Sequence, residues 1–152
     1  MSRTKNLSRP IIESLYAEAL VLADEVRAVF ALAQDSSQIV ASDRIKLALS
    51  AEGLKTTTRV MHVLAWLLNQ RAHFSGEMSQ ESLRRHGRLP DDRSPRKEDL
   101  ELLEPATRDL IMETVHLHRR IARLDLAWSE GFETRPDIHT MHERLGRAIL
   151  RH

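Results

Sequence analysis

Histidine pairs are the residues whose types and spacing come nearest to a chemical site. His116 and His118 are two residues apart, and His139 and His142 are three apart. On a helix, residues two apart diverge by about 200°, so His116 and His118 cannot bind one metal ion from the same face. His139 and His142 can share a face, but two ligands without a nearby carboxylate pair fall short of a metal site. We therefore expect no metal ion and no other cofactor.

The motifs of the common enzyme classes are missing from the sequence. The chain has no cysteine, which excludes thiol nucleophiles, disulfides and thiolate zinc sites. It also lacks a glycine-rich phosphate loop and the patterns G-x-S-x-G and H-E-x-x-H. We therefore expect a protein without enzymatic activity.

A file of polar residues runs through the most apolar segment, TTTRVMHVLAWLLNQRAH at 56–73. The apolar residues of this segment cover roughly 200° of a helix, twice the stripe of a helix buried against one neighbour, so at least two other helices must contact it. The file occupies roughly 80° of the remaining side and comprises Arg59, His62, Trp66, Asn69 and His73.

Trp66 is unexpected in this file because it is the largest apolar side chain of the segment. Two explanations stay open at this stage. Either the following loop or the tail folds over the indole, or the indole anchors a partner protein or a second copy, as Trp often does at interfaces. We take the five residues of the file as candidate protein-interaction residues.

Three long helices are predicted along the chain. Apolar residues spaced by three and four indicate helix 1 over 10–30, and the turn-forming residues of AQDSSQ then break the pattern. Helix 2 is predicted from about Ser42 to about Glu77, either continuous or kinked at Gly53. Helix 3 begins at Pro105 and is ended by Gly131. We expect one all-α domain over 1–152, an antiparallel three-helix bundle in up-down-up order.

Two segments outside these helices complete the predicted domain. Residues 79–104 contain Pro90, Pro95 and charges of both signs, which predicts a long exposed loop. Residues 132–152 are predicted to be a flexible tail or a short C-terminal helix.

Two polar residues fall on the apolar face of helix 3 and need partners there. In the antiparallel arrangement, Asp125 is expected level with residues 57–59, which predicts a polar latch to Thr57, Thr58 or Arg59. His118 is predicted to be a core histidine with a hydrogen-bond partner, and Arg71 is predicted to reach the end of the bundle, where it caps carbonyls or meets an acid.

The charge balance gives no general attraction to nucleic acid or to a membrane, since 23 basic residues face 22 acidic ones. The amino-terminal stretch lacks the apolar region of a secretory signal, and no run approaches the roughly 20 apolar residues of a membrane span, so we expect a cytoplasmic location. An alternative function is a small nucleic-acid-binding regulator that uses Arg119, Arg120, Arg123 and the basic tail.

The segment EGLKTTTRVMHVLAWLLNQRAHFSGEMS resembles the signature of the bacterial regulator-of-CtrA-degradation (RcdA-like) family. The matching elements are Thr-Thr-Arg at 57–59, Trp-Leu-Leu at 66–68, Gln-Arg-Ala at 70–72 and Gly-Glu at 76–77. Two weaker stretches, SRPIIESLYAEALVLADEV and RRIARLDLAW, are similar to the first and third helices of that family.

The resemblance implies a three-helix bundle, commonly dimeric and without enzymatic activity. Members of that family act as adaptors that help to bring substrates such as the response regulator CtrA to the ClpXP protease. We therefore expect a cytoplasmic, homodimeric, protein-binding adaptor with other proteins as its partners.

Overall fold

The chain folds into helices joined by short connections and one extended segment. The computed structural model describes residues 2–133, with side chains for 8–36 and 41–130. Its helices are α1 (Ser2–Val40), α2 (Asp43–Phe74), α3 (Gln80–His86), α4 (Lys97–Leu102) and α5 (Pro105–Glu133). No strand occurs in the described range, which confirms the all-α class.

The break between the first two helices lies later than the sequence pattern predicted. The segment AQDSSQ stays helical, and α1 ends only at Val40. Ser42 then caps α2, since its hydroxyl accepts a hydrogen bond from the Ile45 amide at 3.3 Å. Asp43 in the first turn adds a negative charge where the helix dipole favours one. The strong start signal at 42–43 therefore sets the boundary, rather than the weaker turn formers before it.

Helix α2 runs unbroken through Gly53, as the continuous alternative predicted. The glycine lies against α1, where a Cβ atom would come within 3.2 Å of the Phe30 ring. Its missing side chain therefore allows the ring to pack directly on the α2 backbone.

The end of α2 is fixed by Gly76 rather than by Glu77. Gly76 has a φ of +83°, the left-handed region that glycine adopts without strain. Its amide donates to the His73 carbonyl at 3.2 Å, and the next amide, of Glu77, donates to the Ala72 carbonyl at 2.9 Å. This pair of bonds is a Schellman cap, which satisfies carbonyls that the helix end leaves without partners.

The three long helices α1, α2 and α5 all contact one another. Glu13 of α1 pairs with Arg71 near the end of α2, whereas Phe30 lies against Gly53 nearer its start, so α1 and α2 are antiparallel. In contrast, α5 contacts α2 in increasing order along both helices: Arg59 bonds Thr114, and Trp66 bonds Asp125. Helices α2 and α5 are therefore parallel.

The predicted up-down-up order is thus wrong in its last step. A parallel third helix requires the chain to return along the whole length of α2 before α5 begins. The return is made by residues 75–104, which explains why this connection is long. Only a short loop is needed between antiparallel neighbours.

The expectation of an exposed loop over 79–104 is corrected in the same way. The segment contains α3 and α4, and it buries Leu83, Gly87 and Leu103. At the end of α3, the main chain at Gly87 passes close to the Leu83 carbonyl oxygen, and a Cβ atom added at this glycine would clash with that oxygen. The segment is therefore packed on the long helices.

Helix α5 begins at Pro105 as predicted, but it continues beyond Gly131 to Glu133. Most of the predicted tail, residues 134–152, lies outside the described residues, and His139 and His142 lie there too. Over the described range, none of the helices has both the length and the apolar character of a membrane span.

Replacing Gly76 tests the cap of α2. We expect Gly76→Ala to lower the free energy of unfolding by about 1 kcal/mol, because a Cβ atom is disfavoured at this positive φ. Gly76→Asn is the matched control and should lose less, since Asn tolerates the left-handed region. Urea denaturation of the three proteins measures both effects, and equal losses for Ala and Asn would contradict this account of the cap.

Candidate functional site

The extended segment 87–96, here called the strap, lies in the groove between α2 and α5. Side chains of the two helices bond its main chain at five points. On the α5 side, Asp125 accepts from the Leu89 amide at 3.0 Å, and a ring nitrogen of His118 lies 3.1 Å from the Pro90 carbonyl oxygen. On the α2 side, Arg59 and Lys55 donate to strap carbonyls, and Glu52 accepts from the Arg96 amide at 3.1 Å.

The strap needs these partners because it is extended and has no neighbouring strand. Leu89 lies level with Trp66, because both bond Asp125, and Arg96 lies level with Glu52, which it bonds. The seven residues from Leu89 to Arg96 therefore span the same distance as the fourteen residues of α2 from Trp66 back to Glu52. Fourteen helical residues rise about 21 Å, so the strap advances about 3 Å per residue, close to full extension. Buried main-chain groups without a sheet must be bonded by side chains.

Arg59 is the central polar residue of the groove. It is 1% exposed, and its Nε lies 2.8 Å from both carboxylate oxygens of Asp92 on the strap. One terminal nitrogen donates to the Thr114 hydroxyl of α5 at 3.0 Å, and the other donates to the Arg93 carbonyl at 3.0 Å. One guanidinium therefore joins α2, α5 and the strap. Neither Arg59 nor its carboxylate partner is free to bind another protein in this structure.

Trp66 is buried, so its predicted role as a surface anchor is corrected. The side chain is 2% exposed, and its Nε1 donates to Asp125 at 3.0 Å. Its ring stacks on Trp128 of α5 with centroids 5.6 Å apart. The indole is therefore covered within the chain, and the cover shown by these contacts is α5 rather than the loop or the tail that the sequence suggested.

The predicted latch has a different set of partners. Asp125 lies seven residues of α2 further along than expected, bonding Trp66 rather than Thr57, Thr58 or Arg59. Thr57 and Thr58 are exposed. The error follows from the direction of α5, because a parallel helix brings its late residues to the late residues of α2. Asp125 is nevertheless fully used, since it also accepts from Leu89 and pairs with Arg88 at 3.3 Å.

The remaining members of the polar file are half-buried and do not form one site with Arg59 and Trp66. His62, Asn69 and His73 all have intermediate exposure. The Nδ1 atom of His73 lies 3.1 Å from the Met78 carbonyl oxygen, beside the cap of α2. A protein-interaction role for these three residues stays a prediction.

Two further polar residues behave as the sequence predicted. His118 is 5% exposed and has the Pro90 carbonyl as its partner, which confirms a satisfied core histidine. Arg71 meets an acid, Glu13, at 3.0 Å, and its guanidinium lies over the Tyr16 ring. The hydrogen bond that Arg71 donates to this carboxylate raises the pKa of the guanidinium.

Sequence reasoning missed a set of polar residues that face the interior. Glu52 and Thr56 precede Arg59 at helical spacing on the buried face of α2, and Thr114 precedes His118 on α5. Inward polar residues on both helices, repeated every three to four positions, indicate a polar object between them. From the sequence, we had identified only His118 and Asp125 as polar residues on an inward face. Besides Arg59, His118 and Asp125, the buried polar residues of the described range are Glu52, Thr56, Gln70, Thr107 and Thr114.

The outer face of α2 carries apolar residues that nothing in the described structure covers. They recur every seven residues, and we call them the α2 stripe: Leu47, Leu54, Met61 and Leu68, exposed by 72%, 67%, 63% and 47%. On an ideal helix the stripe lies opposite the buried face. No charged residue interrupts it between 47 and 68, where the intervening positions on the same face are Ser50, Thr57 and Ala65.

The described residues form no metal site, and one arginine on the basic face of α5 is paired. No three of their His, Asp and Glu side chains are grouped so as to hold a metal ion. The predicted basic strip on α5 is reduced, because Arg120 pairs with Glu18 at 2.9 Å while Arg119 and Arg123 are exposed.

A family profile described as "Protein of unknown function (DUF1465)" matches residues 3–149. The chain belongs to the DUF1465 family. The match spans all the helices that build the DUF1465 groove, strap and stripe described above. No curated protein and no solved structure matches the chain.

Removing the carboxylate of Asp92 tests the central role of Arg59. We expect Asp92→Ala to lower the free energy of unfolding by about 3 kcal/mol, because it leaves a buried guanidinium without its counter-ion. Asp91→Ala is the matched control, since Asp91 is exposed, and it should change stability by less than about 0.5 kcal/mol. Chemical denaturation distinguishes the two, and equal effects would show that the Arg59–Asp92 pair is not central to the groove.

Proposed function

We propose that this DUF1465 protein is a non-enzymatic adaptor that binds other proteins through faces of its helical scaffold. The single observation that carries the proposal is the α2 stripe, with four large apolar side chains left in solvent. The stripe is about 32 Å long, since 21 residues separate Leu47 from Leu68. Contiguous exposed apolar surface of this kind marks an interaction site.

The occupant we assign to the stripe is the same stripe of a second copy, which makes the protein a homodimer. Side chains that recur every seven residues stay on one side of a helix, so a second helix can pack along the row. Two copies related by a two-fold axis bring the same patch together, so a charge in the patch would face a charge of the same sign on the other copy. The stripe has no charge, and this favours self-pairing.

Helix α1 widens the surface beside the stripe. The Glu13–Arg71 pair fixes how the antiparallel helices are aligned, and seven residues along each helix Leu20 comes level with Leu64. Leu20 is 46% exposed, and Leu64 is half-buried. The stripe alone covers about 300 Å², taking a helix as about 10 Å wide, whereas standard interfaces bury about 800 Å² per partner. The dimer therefore needs this shoulder of α1, and we expect self-association to depend on concentration.

The partners beyond a second copy are proposed from the motif resemblance. The elements Thr-Thr-Arg, Trp-Leu-Leu and Gln-Arg-Ala within 57–72 resemble the RcdA-like signature. That likeness supports a cytoplasmic adaptor of regulated proteolysis, which helps to deliver a CtrA-like response regulator to ClpXP. The buried positions of Arg59 and Trp66 suggest that these signature residues hold the scaffold together and that contact with partners is made elsewhere.

Placing charge in the stripe tests the proposed dimer. We expect Leu54→Glu combined with Met61→Glu to shift the protein to monomer over a concentration series, because two carboxylates would face two others in the paired face. Light scattering after size-exclusion chromatography measures the mass at each concentration.

The matched control for this experiment is Leu32→Glu, which alters an equally exposed leucine of α1 away from the stripe. It should leave the association unchanged. A wild-type protein that stays monomeric at every concentration, or one whose association both variants weaken equally, would contradict the assignment.

Reconstituted degradation tests the adaptor function itself. We expect the wild-type chain, added with accessory factors to purified ClpXP and a CtrA-like response regulator, to raise the rate of loss of that regulator. The double charge variant reports whether the stripe matters to delivery. An unchanged rate, together with salt-sensitive binding of the chain to duplex DNA in a gel shift, would favour the nucleic-acid alternative, since phosphate contacts weaken steeply with salt.

A further inference from the structure

A small polar cleft lies beside Trp128, at the end of the groove where the strap begins. Its volume is about 130 Å³. One water molecule needs roughly 10–15 Å³, so the cleft has room for a group of several heavy atoms. Its polar and aromatic lining comes from α2, α3, the strap and α5: Gln70, Arg84, Arg88, Asp125, Trp128 and Ser129.

Gln70 is the first reason to regard this cleft as a binding site. The residue is 6% exposed, and its amide, which keeps contact with solvent in the cleft, forms no hydrogen bond within the described part of the chain. An amide of this kind can bond a ligand both through its oxygen and through its NH₂ group. Because Gln70 lines the cleft, a group entering the cleft would be able to form these bonds.

Arg84 is the second reason. It is exposed and has no ion pair or hydrogen bond within the described part of the chain, whereas the adjacent Arg85 pairs with Glu81 at 2.8 Å. One of two neighbouring arginines is thus neutralised by its own helix, and the one that lines the cleft is not. A guanidinium free in this way binds a carboxylate through paired N–H donors.

The net charge of the cleft favours a singly charged ligand. Arg88 and Asp125 neutralise each other at 3.3 Å, which leaves the charge of Arg84. The Asp125 carboxylate, which is only 10% exposed and cannot turn away because Trp66 and Leu89 hold both its oxygens, would repel a doubly charged phosphate about twice as strongly as a singly charged carboxylate. The Trp128 ring meanwhile offers an apolar wall suited to the methylene groups of a short side chain.

We propose that this cleft binds the carboxylate side chain of an acidic residue, Glu or Asp, presented by a partner protein. Arg84 pairs with the carboxylate, the Gln70 amide donates to it, and the Trp128 ring covers the methylene groups. The inference rests on the proposed protein-binding function, because that function supplies the partner protein that presents the acidic residue. It adds a chemical class of ligand and a place on the surface different from the α2 stripe.

Titration of the full chain with a small acidic probe tests the cleft. The probe is N-acetylglutamate methylamide, and N-acetylglutamine methylamide is its uncharged match. We expect saturable shifts of the Trp128 indole N–H signal in ¹H–¹⁵N NMR spectra with the first compound and none with the second. Arg84→Gln should weaken the binding by roughly tenfold, because it removes a charged hydrogen-bond donor.

Arg85→Gln is the matched control and should bind the probe like the wild type. Gln70→Met, which keeps the side-chain volume, should weaken binding while its thermal unfolding shows that it still folds. Equal affinity for the two probes, equal effects of Arg84→Gln and Arg85→Gln, or tighter binding of inorganic phosphate would each overturn the proposal. The probe needs neither protease nor dimer, so failure here is distinguishable from failure of the proposed adaptor function.

Discussion

The pairing of Arg59 with Asp92 is the interaction on which the rest of this structure depends. A guanidinium enclosed between two helices is costly to bury unless its charge and its N–H groups are matched. Here the strap supplies the counter-ion and a carbonyl, and Thr114 supplies a hydroxyl. The strap in turn needs the helices, because its extended main chain has no sheet to bond. Each component therefore satisfies polar groups that the other would leave buried and unpaired.

The sequence predicted the helices of this fold better than it predicted their arrangement. Apolar spacing placed α2 and α5 correctly because local periodicity reflects which side of a helix is buried. The direction of α5 was wrong, since periodicity along one helix carries no information about the direction of its neighbour. The length of 79–104 was the available clue: a connection of this length suits a return along the bundle, whereas an antiparallel neighbour needs only a short one.

The surface position expected for Arg59 and Trp66 was wrong for a related reason. Assigning Arg59 and Trp66 to the surface assumed that the buried side of α2 is its most apolar side. The strap changes this rule, because a main chain lying in the groove requires polar side chains facing inward. The wide apolar arc of 56–73 was nevertheless informative. The buried face of α2 is the side that carries the polar residues Arg59 and Trp66. The edge of the apolar arc farthest from that side is therefore exposed, and it forms part of the α2 stripe.

These features separate the residues that hold the scaffold from the residues left for partners. The polar groups around Arg59 and Asp125 are occupied by the chain itself, so substitutions there act on folding first. The α2 stripe and the Arg84 guanidinium contribute little to that interior, and the exposed apolar area of the stripe is unusual for a surface without a ligand. A signature that includes Arg59 and Trp66 therefore identifies the fold, because it records the side chains that the strap requires. We propose that contacts with partners are made by residues outside that network, on the outer face of α2 and beside α3.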